Sequence, residues 1–156
     1  TWQPRLLVTP GRATAAVAAA QPAEPTTKNI ATNALAACSQ RQFDEMLWAC
    51  DLNLVRGEDS LVRALWAGQP LVWHIYPQHD KAHHDKLNAF LDWLGAPTSL
   101  RRFHHAWHGM TAPQTLPLLS REMLTEWGRC VRAAREKLAF QTDLIEPLQA
   151  FVAEKS

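Results

Sequence analysis

The order of apolar and polar positions in the first half of the chain alternates between strand-like and helix-like segments. Short apolar runs predict strands at Arg5–Thr9, Asn29–Leu35, Leu52–Val55 and Leu71–Ile75. Helix-forming composition or helical spacing of apolar residues predicts helices at Arg12–Ala20, Gln42–Ala49 and Glu58–Ala67, with a loop at Gln21–Lys28. Strands that alternate with helices at this spacing predict an α/β fold, a Rossmann-like parallel sheet flanked by helices.

The second half of the chain has helical patterns. We predict helices at Lys81–Leu94, from an N-cap at Ser120 to about Phe140, and at Leu144–Glu154. The segment Arg101–Gly109 is basic and aromatic, and its pattern supports no assignment. Tryptophans at apolar positions are expected in the core, namely Trp48, Trp66, Trp73, Trp93 and Trp127.

The junction between the third predicted strand and the following helix carries the strongest functional signal. The first N–H groups of a helix lack internal partners, and the helix dipole places partial positive charge there. Arg56 adds a full positive charge, Gly57 allows a close approach of the backbone, and Ser60 adds a hydroxyl. This combination predicts a site for a phosphate or pyrophosphate. The alternative is that Glu58 and Asp59 are first-turn acids that only favour the helix.

Two further segments follow predicted strands and are candidates for the same edge of the sheet. Pro10–Arg12 follows the first strand, and Tyr76–Gln78 follows the fourth. Ligands of open parallel sheets bind outside the carboxyl ends of the strands. We therefore expect both segments to converge with Arg56–Ser60.

Composition and charge narrow the class of protein. A chain of 156 residues with 47% hydrophobic residues predicts one globular domain. The net charge of +1 gives no electrostatic reason to expect nucleic acid or a membrane surface as partner. No apolar run is long enough to predict a membrane span. The scattered Cys38, Cys50 and Cys130 predict reduced thiols and a cytoplasmic location. The chain does not begin with methionine, so we expect it to be part of a longer protein.

Several segments together resemble the C-terminal domain of the EarP-type protein-arginine rhamnosyltransferases, which modify bacterial elongation factor P. The resemblance covers nearly the whole chain, and the pairing of Arg-Gly-Glu-Asp-Ser with Tyr-Pro-Gln is its most specific part. The segments are Leu6–Arg12, Gln40–Asp44, Leu47–Ser60, Trp66–Pro70, Val72–Gln78, Asp143–Leu144 and Phe151–Lys155.

The resemblance implies a two-domain GT-B glycosyltransferase, of which residues 1–156 form the nucleotide-sugar-binding C-terminal half. The donor is dTDP-β-L-rhamnose, no cofactor is needed, and rhamnose passes with inversion to an arginine of elongation factor P. In the family, the aspartate base and most of the acceptor surface lie in an N-terminal domain that this chain lacks. We therefore expect this chain to bind donor nucleotide without catalysing transfer unaided.

The resemblance also assigns the base-binding residues. Gln40 reads the thymine edge, Arg41 and Gln42 lie beside it, and Phe43 helps to wall the base. Ala37 stands where an aromatic residue is expected next to the base. Because stacking of a base on an aromatic ring is worth about 1–3 kcal/mol, we expect weaker binding of thymidine here.

The remaining donor-binding residues surround the pyrophosphate by the same resemblance. Glu58 matches the acidic residue that the family needs for activity, so we assign it as catalytic. The others are Arg56, Gly57, Asp59, Ser60 and Tyr76. Fixed positive groups can stabilise the departing diphosphate without a metal. Because the sequence lacks an Asp-x-Asp motif, we predict a metal-independent reaction.

The histidines suggest a different hypothesis, a metal site. They form two clusters, His79, His83, His84 and His104, His105, His108. Each cluster could place two ligands on one helix turn, but neither has the His-Glu-x-x-His arrangement or a matching set of cysteines, so we predict solvated surface histidines. Three alternatives stay open: a non-catalytic nucleotide-binding module or degenerate fragment, a metal-dependent hydrolase that uses these histidines, and an interaction scaffold.

Overall fold

A computed structural model describes residues 3–20, 30–78, 82–112 and 116–155 of the chain. The chain divides into two compact units, Thr1–Phe43 and Asp44–Ser156. The first unit contains β1 (Arg5–Val8), α1 (Arg12–Ala20), β2 (Ala31–Ala34) and the first turn of α2 (Gln40–Ala49). The second contains the rest of α2, then β3 (Asn53–Val55), α3 (Glu58–Ala67), β4 (Leu71–Trp73), α4 (Ala82–Leu94), α5 (Thr98–Trp107), α6 (Arg121–Ala139) and α7 (Ile145–Lys155).

In the first unit, β1 and β2 form a parallel pair with α1 between them in sequence. The register aligns Arg5 with Ala31 and Val8 with Ala34. Gly11 turns the chain between β1 and α1 at a φ of 111°, a backbone conformation that favours glycine. The Thr14 hydroxyl donates to the Thr9 carbonyl oxygen over 2.9 Å and closes this turn.

The start of α2 is fixed by a reciprocal cap. Ser39 Oγ accepts from the Gln42 backbone N–H at 3.3 Å, and Gln42 Oε1 accepts from the Ser39 N–H at 2.9 Å. This is a capping box, and it satisfies two N–H groups that a helix start leaves without partners. The cap explains why α2 begins at Gln40, two residues before the predicted start.

In the second unit, β3 and β4 form another parallel pair, connected through α3. Asn53 aligns with Leu71 and Val55 with Trp73. Gly68 ends α3 at a φ of 72°, the left-handed conformation typical of a helix C-terminus. The predicted class, α/β with parallel strands flanked by helices, is confirmed. Within the described residues, the strands are hydrogen-bonded as two separate pairs, β1 with β2 and β3 with β4.

The core of the second unit lies between the strand pair and the helices that follow it. α6 packs against α3, α4, α5 and β4. Its Trp127 and Val131 are fully buried, as are Leu87 of α4 and Leu100 of α5. Ser120 caps α6 as predicted, since its Oγ accepts from the Met123 N–H at 3.2 Å.

Two expectations about this unit were incomplete or wrong. The unassigned Arg101–Gly109 segment lies mostly in α5, whose buried face combines Leu100 and Phe103 with the neutral ring of His104. Of the tryptophans, Trp73 and Trp127 are buried as predicted, but three are exposed: Trp48, Trp66 and Trp93. Trp66 is exposed because Leu61 and Leu65 occupy the buried face of α3, which leaves Val62 and Trp66 on an outer stripe.

The last helix, α7, presents apolar residues to its surroundings. Leu148, Phe151 and Val152 are all exposed. Pro147 is its third residue, so it lies in the first turn, where proline is tolerated as predicted. Among the residues that the structure describes, no helix combines the length and the apolar character that crossing a membrane requires. The predicted loop at Gln21–Lys28 lies outside the described residues.

Candidate functional site

The junction between β3 and α3 has the form predicted from the sequence. Arg56 follows the last residue of β3, and Gly57 is the N-cap of α3 with φ −71° and ψ 156°. Gly57 has no side chain, so no side-chain cap hydrogen bond is made at this helix start. The indole N–H of Trp73 donates to the Arg56 carbonyl oxygen over 3.0 Å and ties the junction to β4. The helix dipole therefore ends at a junction that neighbouring residues hold in place.

Arg56 and Tyr76 lie together at this junction. The guanidinium carbon of Arg56 is 4.6 Å from the centroid of the Tyr76 ring, within the range of a cation–π interaction. Across the described ranges, the buried Nε of Arg56 has no hydrogen-bond partner. A buried donor without a partner is uncommon in a native protein and marks a place where a ligand can accept a hydrogen bond. Tyr76 is half exposed, so the pair is accessible.

Each acidic residue at the start of α3 has a cationic partner. Lys86 of α4 donates to Glu58 and lies 5.7 Å above the ring of Trp73. Arg63 donates to Asp59 at 3.0 Å and also to Asp44 of α2 at 3.0 Å. These two hydrogen bonds raise the pKa of Arg63 above its usual value. The pairs reduce the negative charge that Glu58 and Asp59 would otherwise present to an anion.

Gly57 is not required by the backbone conformation, because a φ of −71° is open to any residue. A Cβ added at Gly57 would meet only Ser60 Oγ, at 4.0 Å. The surface over the first turn of α3 is therefore open at this point. Ser60, in that turn, is partly buried.

Two of the residues assigned to the base, Gln40 and Phe43, line a cavity in the first unit. It has a volume of about 300 Å³, and its lining residues are Thr9, Pro10, Ala37, Cys38, Ser39, Gln40 and Phe43. Gln40 is exposed at the first position of α2, and Phe43 is partly buried. Arg41 is exposed, while the side chain of Gln42 takes part in the capping box.

The predicted site residues thus fall into two groups. Within the first unit the structure brings together Pro10, Gln40 and Phe43 around the cavity. Within the second unit it brings together Arg56, Tyr76 and the first turn of α3. The expected convergence of Arg56–Ser60 with Tyr76–Gln78 is seen in the Arg56–Tyr76 contact.

The expectation that the histidines are solvated is wrong for two of them. His104 is fully buried: its Nε2 accepts from the Trp73 backbone N–H at 3.0 Å, and its Nδ1 donates to the Leu100 carbonyl oxygen at 3.0 Å. Burial lowers the pKa of His104 to about 4. His83 is also buried and accepts from the Gln78 N–H. Because both ring nitrogens of His104 are used, this ring is not available as a metal ligand.

The remaining histidines give no metal centre within the described ranges. No group of three or more His, Cys, Asp or Glu side chains there is arranged to hold a metal ion. His79 lies outside those ranges. His84, His105 and His108 are partly buried.

Two nearby residues were not assigned from the sequence. Lys86 reaches Glu58 from a different helix, and sequence spacing carries no signal for such a pair. His74 belongs to the Val72–Gln78 segment, directly after β4, and it accepts a hydrogen bond from the Trp107 indole N–H. The only signal for His74 was its position at the carboxyl end of a strand, where ligands of parallel sheets bind.

The parallel β-α-β units and the strand-to-helix junction define an α/β protein in which ligands are expected at the carboxyl ends of the strands. The sequence profile of a family described as Elongation-Factor P (EF-P) rhamnosyltransferase EarP matches residues 2–153. The chain belongs to this EarP family.

Individual relatives agree with this assignment. The chain is 42% identical over 123 residues to a protein-arginine rhamnosyltransferase of Pseudomonas aeruginosa, a match that covers 74% of this chain and 32% of the relative. It is 66% identical over 53 residues to the enzyme of the same name from Pseudomonas putida, covering 34% of this chain and 14% of the relative. The match therefore spans about a third of the Pseudomonas aeruginosa relative and a smaller share of the Pseudomonas putida relative.

A solved structure is similar over the whole chain. It was described as the structural basis for EarP-mediated arginine glycosylation of translation elongation factor EF-P. The TM-score is 0.66 at 30% identity, and the match covers 100% of this chain and 54% of the solved one. The fold of this chain is thus that of part of an EarP protein.

Proposed function

We propose that this chain is the donor-binding part of a protein-arginine rhamnosyltransferase, the C-terminal half of a GT-B enzyme, with residues 1–156 as one nucleotide-sugar-binding domain. The donor is dTDP-β-L-rhamnose, and the acceptor is an arginine of elongation factor P in the bacterial cytoplasm. The observation that carries the proposal is the Arg56 guanidinium, stacked on Tyr76 beside the open start of α3, with a buried Nε that lacks a partner among the described residues.

Diphosphate binding at this junction suits the chemistry of glycosyl transfer. Negative charge develops on the departing diphosphate, and preorganised positive groups lower the barrier by stabilising that charge. Arg56 and the first N–H groups of α3 supply this stabilisation without a metal ion. Ser60 and Tyr76 add hydroxyl donors, and Gly57 allows the phosphate to approach the backbone.

Glu58 is the proposed catalytic residue of the motif, and its carboxylate is held by Lys86. Asp59 joins the site at the second position of α3, where Arg63 holds it. Because both carboxylates are paired with cations, they add little repulsion against the diphosphate.

Thymine binding is proposed for the cavity of the first unit. Gln40 lies on its wall and offers an amide that can both donate to and accept from the thymine edge. Phe43 forms another part of the wall. Arg41 and Gln42 lie beside Gln40 in the first turn of α2, where Gln42 fixes the helix start.

The acceptor half of the reaction is assigned to a separate N-terminal domain. An inverting transfer needs a base on the side of the sugar opposite the diphosphate, and the proposed base is an aspartate of that domain. This chain alone is expected to bind donor nucleotide and to leave elongation factor P unmodified. Adding an N-terminal EarP domain in trans is expected to restore modification.

The direct test is calorimetric titration of the full chain with dTDP, UDP and GDP, together with amide NMR shifts. Binding of dTDP in preference to GDP, with shifts at Arg56–Ser60 and at Gln40, would support the proposal. Absence of dTDP binding would exclude a donor-binding role. Binding without transfer after an N-terminal domain is added in trans would favour the alternative, a non-catalytic nucleotide-binding module.

A further inference from the structure

His74 lies at the same strand ends as Arg56. Its backbone N–H donates to the Val55 carbonyl oxygen over 2.7 Å, which extends the β3–β4 ladder by one bond. His74 is thereby placed beside the residue that follows Val55, which is Arg56. The pKa of His74 is lowered mainly by burial, and the charges of His108 and Arg56 add to this effect. The guanidinium of Arg56 lies over the ring of Tyr76, two residues after His74.

The protonation state of the His74 ring is fixed by a neighbour. The indole N–H of Trp107 donates to His74 Nδ1. An indole N–H can only donate, so Nδ1 carries a lone pair and the proton of the neutral ring lies on Nε2. The His108 ring packs against His74 with centroids 5.5 Å apart and planes 22° apart, which restricts rotation.

We propose that His74 is a further donor-binding residue, whose Nε2–H donates to a phosphate oxygen of a nucleoside diphosphate held by Arg56 and Tyr76. Trp107 is a positioning residue, because it sets the ring orientation and the tautomer that presents this N–H. The inference rests on the proposed function, since it adds one hydrogen-bond donor to the same diphosphate site.

A neutral ring suits this role. Burial, His108 and Arg56 together lower the pKa of His74 below its ordinary value, which favours the uncharged ring. The bound oxygen then receives a hydrogen bond from an uncharged donor. Arg56 remains the group that supplies the positive charge.

A matched pair of substitutions isolates the Nε2–H. Glutamine places an amide near the position of Nε2, whereas asparagine reaches only the position of Nδ1. In calorimetric titrations of the full chain with dTDP, His74→Asn is expected to weaken binding about tenfold. His74→Gln is expected to stay within about threefold of the unsubstituted chain. Equal, unchanged affinities in both variants would overturn the proposal.

A second measurement uses the unsubstituted chain, so it does not depend on whether a variant folds. Imidazole ¹⁵N shifts of the unsubstituted chain are expected to report the Nε2–H tautomer of His74, with the Nε2 proton shifting downfield on addition of dTDP. An Nδ1–H tautomer, or an Nε2 proton that does not move at saturation, would overturn the proposal. In Trp107→Phe, a mixture of the two tautomers is expected, and a ring that keeps one tautomer would exclude the positioning role.

The two proposals fail in different ways. If the unsubstituted chain does not bind dTDP, the donor-binding function itself is wrong. If it binds dTDP and loses affinity in Arg56→Ala but not in His74→Asn, the function stands and only the role of His74 is excluded.

Discussion

The buried imidazole of His104 accepts a hydrogen bond from the backbone N–H of Trp73, 3.0 Å away. β4 pairs with β3 along one of its edges. The backbone N–H of Trp73 points to the other edge of β4, where a side chain from α5 accepts it in place of a further strand. His104 Nδ1 donates in turn to the Leu100 carbonyl oxygen of its own helix. The ring can serve both partners only in its neutral form, so the packing of α5 against β4 depends on protonation.

Acid should therefore destabilise this protein through His104. Its pKa in the folded chain is about 4, against an ordinary value of 6.5, and burial is the main cause. Between these two pH values, the unfolded chain binds a proton that the native ring does not. The contribution of neutral His104 to the free energy of unfolding is therefore fully present above pH 6.5 and is lost as the pH falls toward 4. We expect a loss of about 3 kcal/mol over this range, measured by urea unfolding at a series of pH values.

His104→Gln provides the control for this pH dependence. Glutamine keeps an oxygen that can accept from the Trp73 N–H but has no titrating group. The variant is expected to be less stable near pH 7 by about 1–3 kcal/mol and to lose less of its stability on acidification. A free energy of unfolding that falls equally with pH in both proteins would assign the acid sensitivity to other groups.

Local sequence signals predicted most of the elements well. α3 has its predicted bounds, because an N-terminal glycine junction and the left-handed Gly68 mark its ends. α5 could not be assigned, because His104 reads as polar in sequence and becomes buried only when Trp73 supplies a donor. The exposure of Trp66 was unpredictable for a related reason, since it depends on which face of α3 the rest of the fold covers.

The candidate site was predictable in part. The approach of Arg56 to Tyr76 follows from two strands whose carboxyl ends share an edge, and that much can be read from the strand order. The ion pair of Lys86 with Glu58 and the hydrogen bond of Trp107 to His74 join residues far apart in sequence. Such pairs depend on how α4 and α5 pack, which no local pattern encodes.

Arg56→Ala should weaken binding of dTDP without unfolding the chain. Loss of a charged hydrogen-bond donor costs on the order of 1.5–3 kcal/mol, which corresponds to roughly a 10- to 150-fold rise in Kd by calorimetry. Tyr76→Phe should cost less, because the ring that carries the guanidinium remains and only the hydroxyl is lost.

Arg129 offers the matched control for Arg56, because it is exposed on α6 and lies far from the junction in sequence. Arg129→Ala removes the same charge and should leave the Kd for dTDP unchanged at moderate salt. Equal losses in the two variants would mean that net charge, and not the geometry at Arg56, governs nucleotide binding.

Substitutions at Gly57 and Gly68 should affect two different quantities, the affinity for dTDP and the free energy of unfolding. At Gly57 the backbone suits any residue and a Cβ meets only Ser60 Oγ at 4.0 Å. Gly57→Ala should change the free energy of unfolding by less than about 1 kcal/mol, yet weaken dTDP binding because its methyl group occupies the approach to the backbone.

Gly68→Ala should behave in the opposite way. Its φ of 72° disfavours alanine, and the Cβ would lie 2.7 Å from Nη1 of Arg135. We expect the free energy of unfolding to fall by about 1 kcal/mol or more in thermal or urea unfolding, with an unchanged Kd for dTDP below the transition.

If Gly57→Ala kept full affinity, the diphosphate would not approach the start of α3, and the proposed site would be wrong.

Ala37 offers a test by gain of affinity. It is exposed on the wall of the cavity that also carries Gln40 and Phe43, so a larger side chain there can reach a bound base without disturbing a core. Stacking of a base on an aromatic ring is worth about 1–3 kcal/mol, so Ala37→Phe should tighten dTDP binding about tenfold. Ala37→Leu adds apolar surface without a ring and should gain much less, and inorganic pyrophosphate should bind both variants as it binds the unsubstituted chain. Equal gains in Phe and Leu would point to general apolar contact, and an unchanged affinity in Ala37→Phe would place the base outside this cavity.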